Sequence, residues 1–209
     1  MKDKPSEWIA ISDLMAGVMA VVMLLLVIAV VQKQEMARLA QVKDPRQQKL
    51  SQLLGELSTS LSQSSGKDMV TLDTAAKKIT LRDGIFNRGS ACITTASQPA
   101  LENIRRKLTS FLHDIPEGQV YVEGHTDSRP VTRPVTDFST YCTVYDDNYT
   151  LSAARAREAR KLLTSDLQKT DAKRIVVAGF GDSQPLAGIP PEDARQRRVE
   201  IRLVIPEAE

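Results

Sequence analysis

The chain has 209 residues, with 28 Lys and Arg against 26 Asp and Glu and a formal charge of +2. That length holds one ordinary domain plus an anchor and a connector, and the balanced charge gives no signal for nucleic acid or another polyanion. Aromatic residues make up only 4%, which argues against base-stacking surfaces and against a sugar site lined with Trp.

The apolar residues are concentrated early. Residues 9–31 (IAISDLMAGVMAVVMLLLVIAVV) carry one charge, Asp13. As a helix the stretch is about 35 Å long, enough to cross a hydrocarbon core of roughly 30 Å. A cleaved signal peptide fits poorly, because the run is long, holds an acid and lacks a clean small-x-small cleavage site. A carboxyl group in a span is costly and tends to face a protein interior or a water path. Ala16, Gly17 and Ala20 share its helix face, where small residues let a partner helix approach closely. Asp13 is therefore expected to carry an ion at a helix–helix interface; the alternative is a headgroup position from which it only snorkels.

Residues 32–68 are polar with scattered apolar positions. Met36, Leu39 and Val42 form a short stripe that Pro45 interrupts. Leu50, Leu54, Leu57 and Leu61 then recur at 4-3-4 spacing, a narrow seam that suits either a dimer of short helices or packing on the chain's own domain. Residues 62–67 (SQSSGK) read as a hinge.

From Met69 onward, strand and helix signals alternate. MVTLD and KKITL read as short strands, and residues 98–113 as an amphipathic helix with Leu101, Ile104, Leu108, Phe111 and Leu112 on one face. QVYVEGH is a strand by alternation, 151–167 a second helix, and RIVVAGFG and RVEIRLVI are further strands. The expected fold class is α/β, an α+β sandwich with helices on one face of one sheet. Enzyme readings fail: His125, Asp127 and Ser128 are too close in one segment to form a hydrolase triad. Two His and two separated Cys offer no metal spacing, so no metal and no cofactor is expected.

Phe86 with Gly89-Ser90, Gly124-His125-Thr126-Asp127, Asp147-Asn148, Leu151-Ser152, Arg155-Ala156, Gly179-x-Gly181 and Arg197-Arg198-Val199 occur in that order. In these residues the stretch 69–206 resembles the OmpA-like peptidoglycan-binding domain. The resemblance implies a β-α-β-α-β core and a periplasmic location. Residues 1–8 would then be a short cytoplasmic N-terminus, 9–31 the single transmembrane helix of a bacterial inner-membrane protein, and 32–68 a partly helical periplasmic connector. Flanking charge alone leans the other way, with Lys2 and Lys4 before the span against Lys33, Arg38, Lys43 and Arg46 after it.

The implied ligand is the diaminopimelate of a peptidoglycan stem, an ammonium beside a carboxylate. An Asp matches the first and an Arg fork the second. By resemblance Asp127 takes the ammonium and Arg155, on the first turn of its helix, the carboxylate. Thr126, Asn148, Leu151 and Arg198 would line the same groove. Asp127 and Arg155 could instead form only an internal ion pair, Asn148 and Leu151 could be scaffold, and His125 reads as a structural hydrogen-bonder. Gln196 stands where the family has Asn, and the loop 129–146 is longer than the family minimum. Cys92 and Cys142 could pair in an oxidising periplasm, tying that loop down, or remain free or bond between chains.

An Asp-bearing span, a connector and a wall domain together resemble the stator B subunits of ion-driven motors, around Trp8-x-x-Ile11-Ser12-Asp13-Leu14-Met15. Flagellar B subunits of the MotB type have aromatic-rich spans. The SDLMAG motif and the cysteine-bearing loop look closer to the B subunits of Zorya anti-phage defence. The resemblance implies a dimer held within a ring of polytopic A subunits (MotA- or ZorA-like), with protons or sodium ions passing at Asp13 and no direct contact with nucleic acid. A passive OmpA-type tether, and a secretion-system or envelope-stress component with the same wall domain, stand as alternatives.

Overall fold

The computed structural model describes residues 7–41, 45–63 and 69–206, in two compact units, Met1–Asp44 and Pro45–Glu209. The first unit is one helix, α1 (Glu7–Gln41), whose segment Leu14–Gln34 is long and apolar enough to cross a membrane. Every side chain of that segment is exposed, Leu14 to 70% and Met19 to 64%. Water offers such a helix nothing to cover it, whereas lipid or partner helices do. Asp13 falls within α1, its side chain outside the described residues.

The second unit runs α2 (Pro45–Gln63), β1 (Val70–Asp73), β2 (Lys78–Arg82), α3 (Gln98–Asp114), β3 (Gln119–His125), α4 (Phe138–Tyr141), α5 (Asn148–Leu163), α6 (Lys169–Ala172), β4 (Ile175–Gly179) and β5 (Arg198–Val204). The sheet order is β1-β2-β5-β3-β4. β3 and β4 are parallel and joined through α5, while the other neighbours are antiparallel. The mixed α/β class, the apolar N-terminal helix and a helical connector are as the sequence patterns require.

Alternation sorts each strand between two faces. Ile79, Leu81, Val120, Val122, Val199, Ile201 and Leu203 point to the helices and are buried with Leu101, Ile104, Leu108 and Phe111 of α3. Leu50, Leu54, Leu57 and Leu61 of α2 belong to this same core, at 0–6% exposure, and α2 lies against α3. The leucine seam is thus covered by the chain's own domain, with Lys107 reaching across to Glu56 at 2.6 Å. Buried leucines contribute about 1.5–3 kcal/mol each, so four of them suffice to hold a five-turn helix down. Ser62 and Gln63 close α2; the rest of the expected hinge lies outside the described residues.

Two glycines set the distance between α5 and the sheet. A Cβ on Gly124 would stand 2.0 Å from the Ser152 carbonyl oxygen, and one on Gly179 2.6 Å from the Ala153 Cβ. The helix backbone therefore rests directly on β3 and β4, a close approach that only glycine permits.

The opposite face of the sheet is polar. Glu200 there pairs with Arg198 at 2.7 Å and Lys78 at 3.0 Å, and Arg202 lies over the Tyr121 ring. His125 is buried on this face, with neither ring nitrogen hydrogen-bonded, and stacks on Phe180 at 5.4 Å. It makes a ring contact where the sequence suggested a hydrogen-bonding role. Burial, reinforced by the Arg198 charge, lowers its pKa from 6.5 to about 4. The unfolded chain then binds a proton that the folded chain refuses, so stability is full above pH 6.5 and falls as the pH drops towards 4. We expect the thermal midpoint to decline across that window, and to decline less in His125→Phe, as read by melting curves at stepped pH.

Candidate functional site

The charged cluster of interest lies where β3 ends. The Thr126 N–H donates to the Gly181 carbonyl (2.8 Å) and the Phe180 N–H to the Gly124 carbonyl (2.9 Å), so β3 and β4 leave the sheet together. Asp127 follows two residues after β3, at the carboxyl ends of parallel strands, where open α/β sheets place ligand crevices. The loop that follows returns at Asp147, which caps α5 by accepting from the Thr150 N–H at 2.6 Å. That cap starts α5 at Asn148, three residues before the expected Leu151. Arg155 is consequently two turns into the helix and not on its first turn, a correction that follows from the Asp147 cap.

Asp127 and Arg155 join one ion-pair cluster but are not paired with each other. Asp127 Oδ2 accepts from Arg197 Nη1 at 2.6 Å, and Arg197 Nη2 donates to Asp83 Oδ2 at 2.8 Å. The other Asp83 oxygen lies 3.9 Å from Arg155 Nη1 and is buried without a hydrogen bond. Asp83, Arg197, Asp127 and Arg155 thus form a cluster of two carboxylates and two guanidiniums. Arg155 is 2% exposed, lies over the Phe86 ring at 5.5 Å, and donates from Nε to the Ser90 carbonyl at 2.9 Å. Burial lowers its pKa and the Asp83 carboxylate opposes that shift, while the hydrogen bond that Arg197 donates to Asp83 raises the pKa of Arg197. Both guanidiniums stay charged at any physiological pH.

The remaining sequence candidates separate. Thr126 is buried with its hydroxyl unpartnered. Asn148 donates from Nδ2 to the carbonyls of Asp127 (3.2 Å) and Arg129 (3.0 Å), so it clamps the turn that carries Asp127. Leu151 is 7% exposed, on the first turn of α5. Arg198 is the exception. It points to the polar face of the sheet, donating to Glu200, Gln196 and Gln184, and lines a cavity of about 460 Å³ with Thr80, Arg82, Leu186 and Asp83, a member of the charged cluster. Alternation along β5 places Arg197, rather than Arg198, in the ion pair with Asp127.

The sequence assigns neither Asp83 nor Arg197 to the groove, although Arg197 stands in the Arg197-Arg198-Val199 motif. For Arg197 the signal was present: it has the same parity as Val199 and Ile201, which face the helices. For Asp83 there was none, since it is remote in sequence from both partners.

The loop 129–146 is organised rather than bare. It contains α4, capped by Asp137, and Val135 and Tyr145 exchange backbone hydrogen bonds across it. Cys142 is bonded to Cys92, with Cα atoms 5.1 Å apart. Hydrogen bonding to Ser139 and Thr140 lowers the Asp137 pKa to about 2.

Fold and charged cluster together define a helix-on-sheet domain with ion pairs gathered at the end of its parallel strand pair. The OmpA family matches residues 85–198, over half of the chain, and the chain belongs to that family. Among solved structures it is similar to the cell wall anchor of the T6SS from Pseudomonas aeruginosa, at 33% identity over 72% of this chain and 97% of that one, with a TM-score of 0.53. A MotB-like protein from Desulfovibrio vulgaris shares the fold, at 19% identity, 79% and 100% coverage and a TM-score of 0.57. None of the curated proteins matches the chain.

Proposed function

We propose that the chain is the B subunit of an ion-driven inner-membrane stator, gripping peptidoglycan with its OmpA-family domain and carrying the ion on Asp13. One observation carries the wall-binding half: two carboxylates and two guanidiniums converge in one cluster, Asp127 and Arg155 among them. Diaminopimelate offers an ammonium to the first and a carboxylate to the second, in charge-assisted pairs. When a ligand ammonium takes Asp127, Arg197 keeps Asp83 and its charge is not stranded. Thr126, Asn148 and Leu151 shape the site around that exchange, while Arg198 braces the sheet behind it. No covalent chemistry is assigned to the site.

The stator half rests on α1. An acid set in an apolar helix beside Ala16, Gly17 and Ala20 suits a protein interface with an ion path better than a plain lipid anchor. In this reading residues 1–8 are cytoplasmic, 9–31 cross the inner membrane, 32–68 lead through the periplasm, and 69–206 meet the wall. The Cys92–Cys142 bond suits that oxidising compartment. Two copies would sit within a ring of polytopic A subunits of the MotA or ZorA type, passing protons or sodium ions. The SDLMAG motif and the cysteine-bearing loop favour a ZorB-like role in Zorya anti-phage defence over a flagellar one.

A second reading has its own support: the 33% identity to a secretion-system cell wall anchor favours a tether that conducts nothing. Copurification from membranes separates the two. A polytopic A subunit retained with the chain supports the stator, and a chain that emerges without one, bound only to secretion components, overturns it.

A further inference from the structure

The turn that holds Arg155 is itself held from outside. Residues 86–93 form a closed turn in which Asn87 N–H donates to the Cys92 carbonyl (3.0 Å), Ser90 N–H donates to the Asn87 carbonyl (3.0 Å) and Phe86 bridges Ile93. On its inner side the Ser90 carbonyl accepts from Arg155 Nε, a buried bond. On its outer side, among the described residues, the fastenings come from the 129–146 loop. The Tyr141 carbonyl accepts from both the Ala91 N–H (3.0 Å) and the Ser90 hydroxyl (2.9 Å). The Tyr145 hydroxyl donates to the Gly89 carbonyl at 2.6 Å, and Cys142 is bonded to Cys92. The loop is fastened at its other flank too, since Arg157 of α5 donates to the Cys142 carbonyl at 2.9 Å.

We propose that the 129–146 loop is a positioning brace for Arg155: through the Cys92–Cys142 bond, Tyr141 and Tyr145 it fixes the Ser90 carbonyl, and the carbonyl fixes the direction of the guanidinium. The proposal deepens the wall-binding reading and rests on it for its effect on affinity. A guanidinium fork binds a carboxylate through two parallel bonds, so its orientation sets affinity as much as its presence does. The short closed turn has no other anchor on that side among the described residues. Tyr145 illustrates the connection: its hydroxyl is on the turn, its backbone pairs with Val135 across the loop, and burial raises its pKa, keeping the hydroxyl a donor.

The test uses the full chain in detergent micelles, comparing wild type, Cys92→Ala/Cys142→Ala and Tyr145→Phe. Two readouts are taken well below the melting point. The first is hydrogen exchange of the Arg155 Nε–H, followed by nuclear magnetic resonance, beside the amides of Val122 and Ile201. The second is binding to peptidoglycan sacculi. We expect the Nε–H to lose its protection in the double variant while the core amides keep theirs. Binding should weaken by roughly tenfold, and by under about threefold when the same cysteine change is made in Arg155→Lys. Tyr145→Phe should give a smaller loss of the same kind. An unchanged Nε–H, or an equal binding loss in the Arg155→Lys background, overturns the brace. Should wild type not bind sacculi, the wall-binding reading fails, while the Nε–H exchange still decides the positioning.

Discussion

Asp127→Asn is expected to lower the affinity of the full chain for peptidoglycan by roughly 30- to 1000-fold, the effect of losing about 2–4 kcal/mol from a desolvated charge pair. The carboxylate is 6% exposed and accepts from Arg197 at 2.6 Å, so the site is dry and its charges are weakly screened. Asn keeps the shape and one acceptor oxygen but cannot neutralise an ammonium. Folding should survive, because Arg197 retains Asp83 at 2.8 Å and the turn is held through the Asp127 backbone carbonyl by Asn148. Arg155→Gln should match the loss in binding and add a loss in stability. It removes the bond to Ser90 and the guanidinium 3.9 Å from the buried Asp83 oxygen, leaving Arg197 as the remaining cation on that carboxylate. Sedimentation with sacculi measures the first effect and melting curves the second. If the site were only an internal ion-pair cluster, both variants would lose stability without losing wall binding.

Asp13→Asn is expected to abolish ion-driven output while leaving membrane insertion, the melting point and sacculus binding unchanged. Asn matches Asp in volume and fits the same small-residue face with Ala16, Gly17 and Ala20, but it cannot bind and release a cation through a change in charge. Moving one charge across the membrane is worth about 2.3 kcal/mol per 100 mV, and none of that reaches the machine once the carrier is neutral. The measurement is ion flux or phenotype in cells expressing the variant at wild-type level. A passive tether predicts silence here, with defects only from Asp127 or Arg155. The two substitutions therefore divide the protein into halves that fail independently.

The strands and main helices were legible because their signals are local. Val120 and Val122, or Val199 and Ile201, alternate with polar partners, and Leu101, Ile104 and Leu108 recur at helical spacing. α5 starts three residues before its apolar pattern because the Asp147 cap, a polar signal outside that pattern, sets the first turn, and this puts Arg155 two turns into the helix. The leucine seam was legible as a seam, yet its partner was not, since a/d spacing looks the same against a second copy or against α3. The site was half legible. Asp127 and Arg155 belong to one ion-pair cluster, while strand parity decides that Arg197, not Arg198, pairs with Asp127. Asp83, 114 residues from its ion-pair partner Arg197, becomes part of the site only through tertiary structure. The loop 129–146 gave no periodic signal because its order comes from single bonds, at Tyr145, Asp137 and Cys142, rather than from a repeating apolar face.

Sedimentation of the full chain with purified sacculi, with free meso-diaminopimelate as competitor, addresses the wall-gripping reading most directly. The chain should pellet with diaminopimelate-containing walls, be released by the free amino acid, and bind walls with lysine in that position far more weakly, because lysine offers the ammonium but no carboxylate to Arg155. Equal binding to both walls, or binding that the competitor cannot displace, would contradict the assignment of Asp127 and Arg155 as the grip.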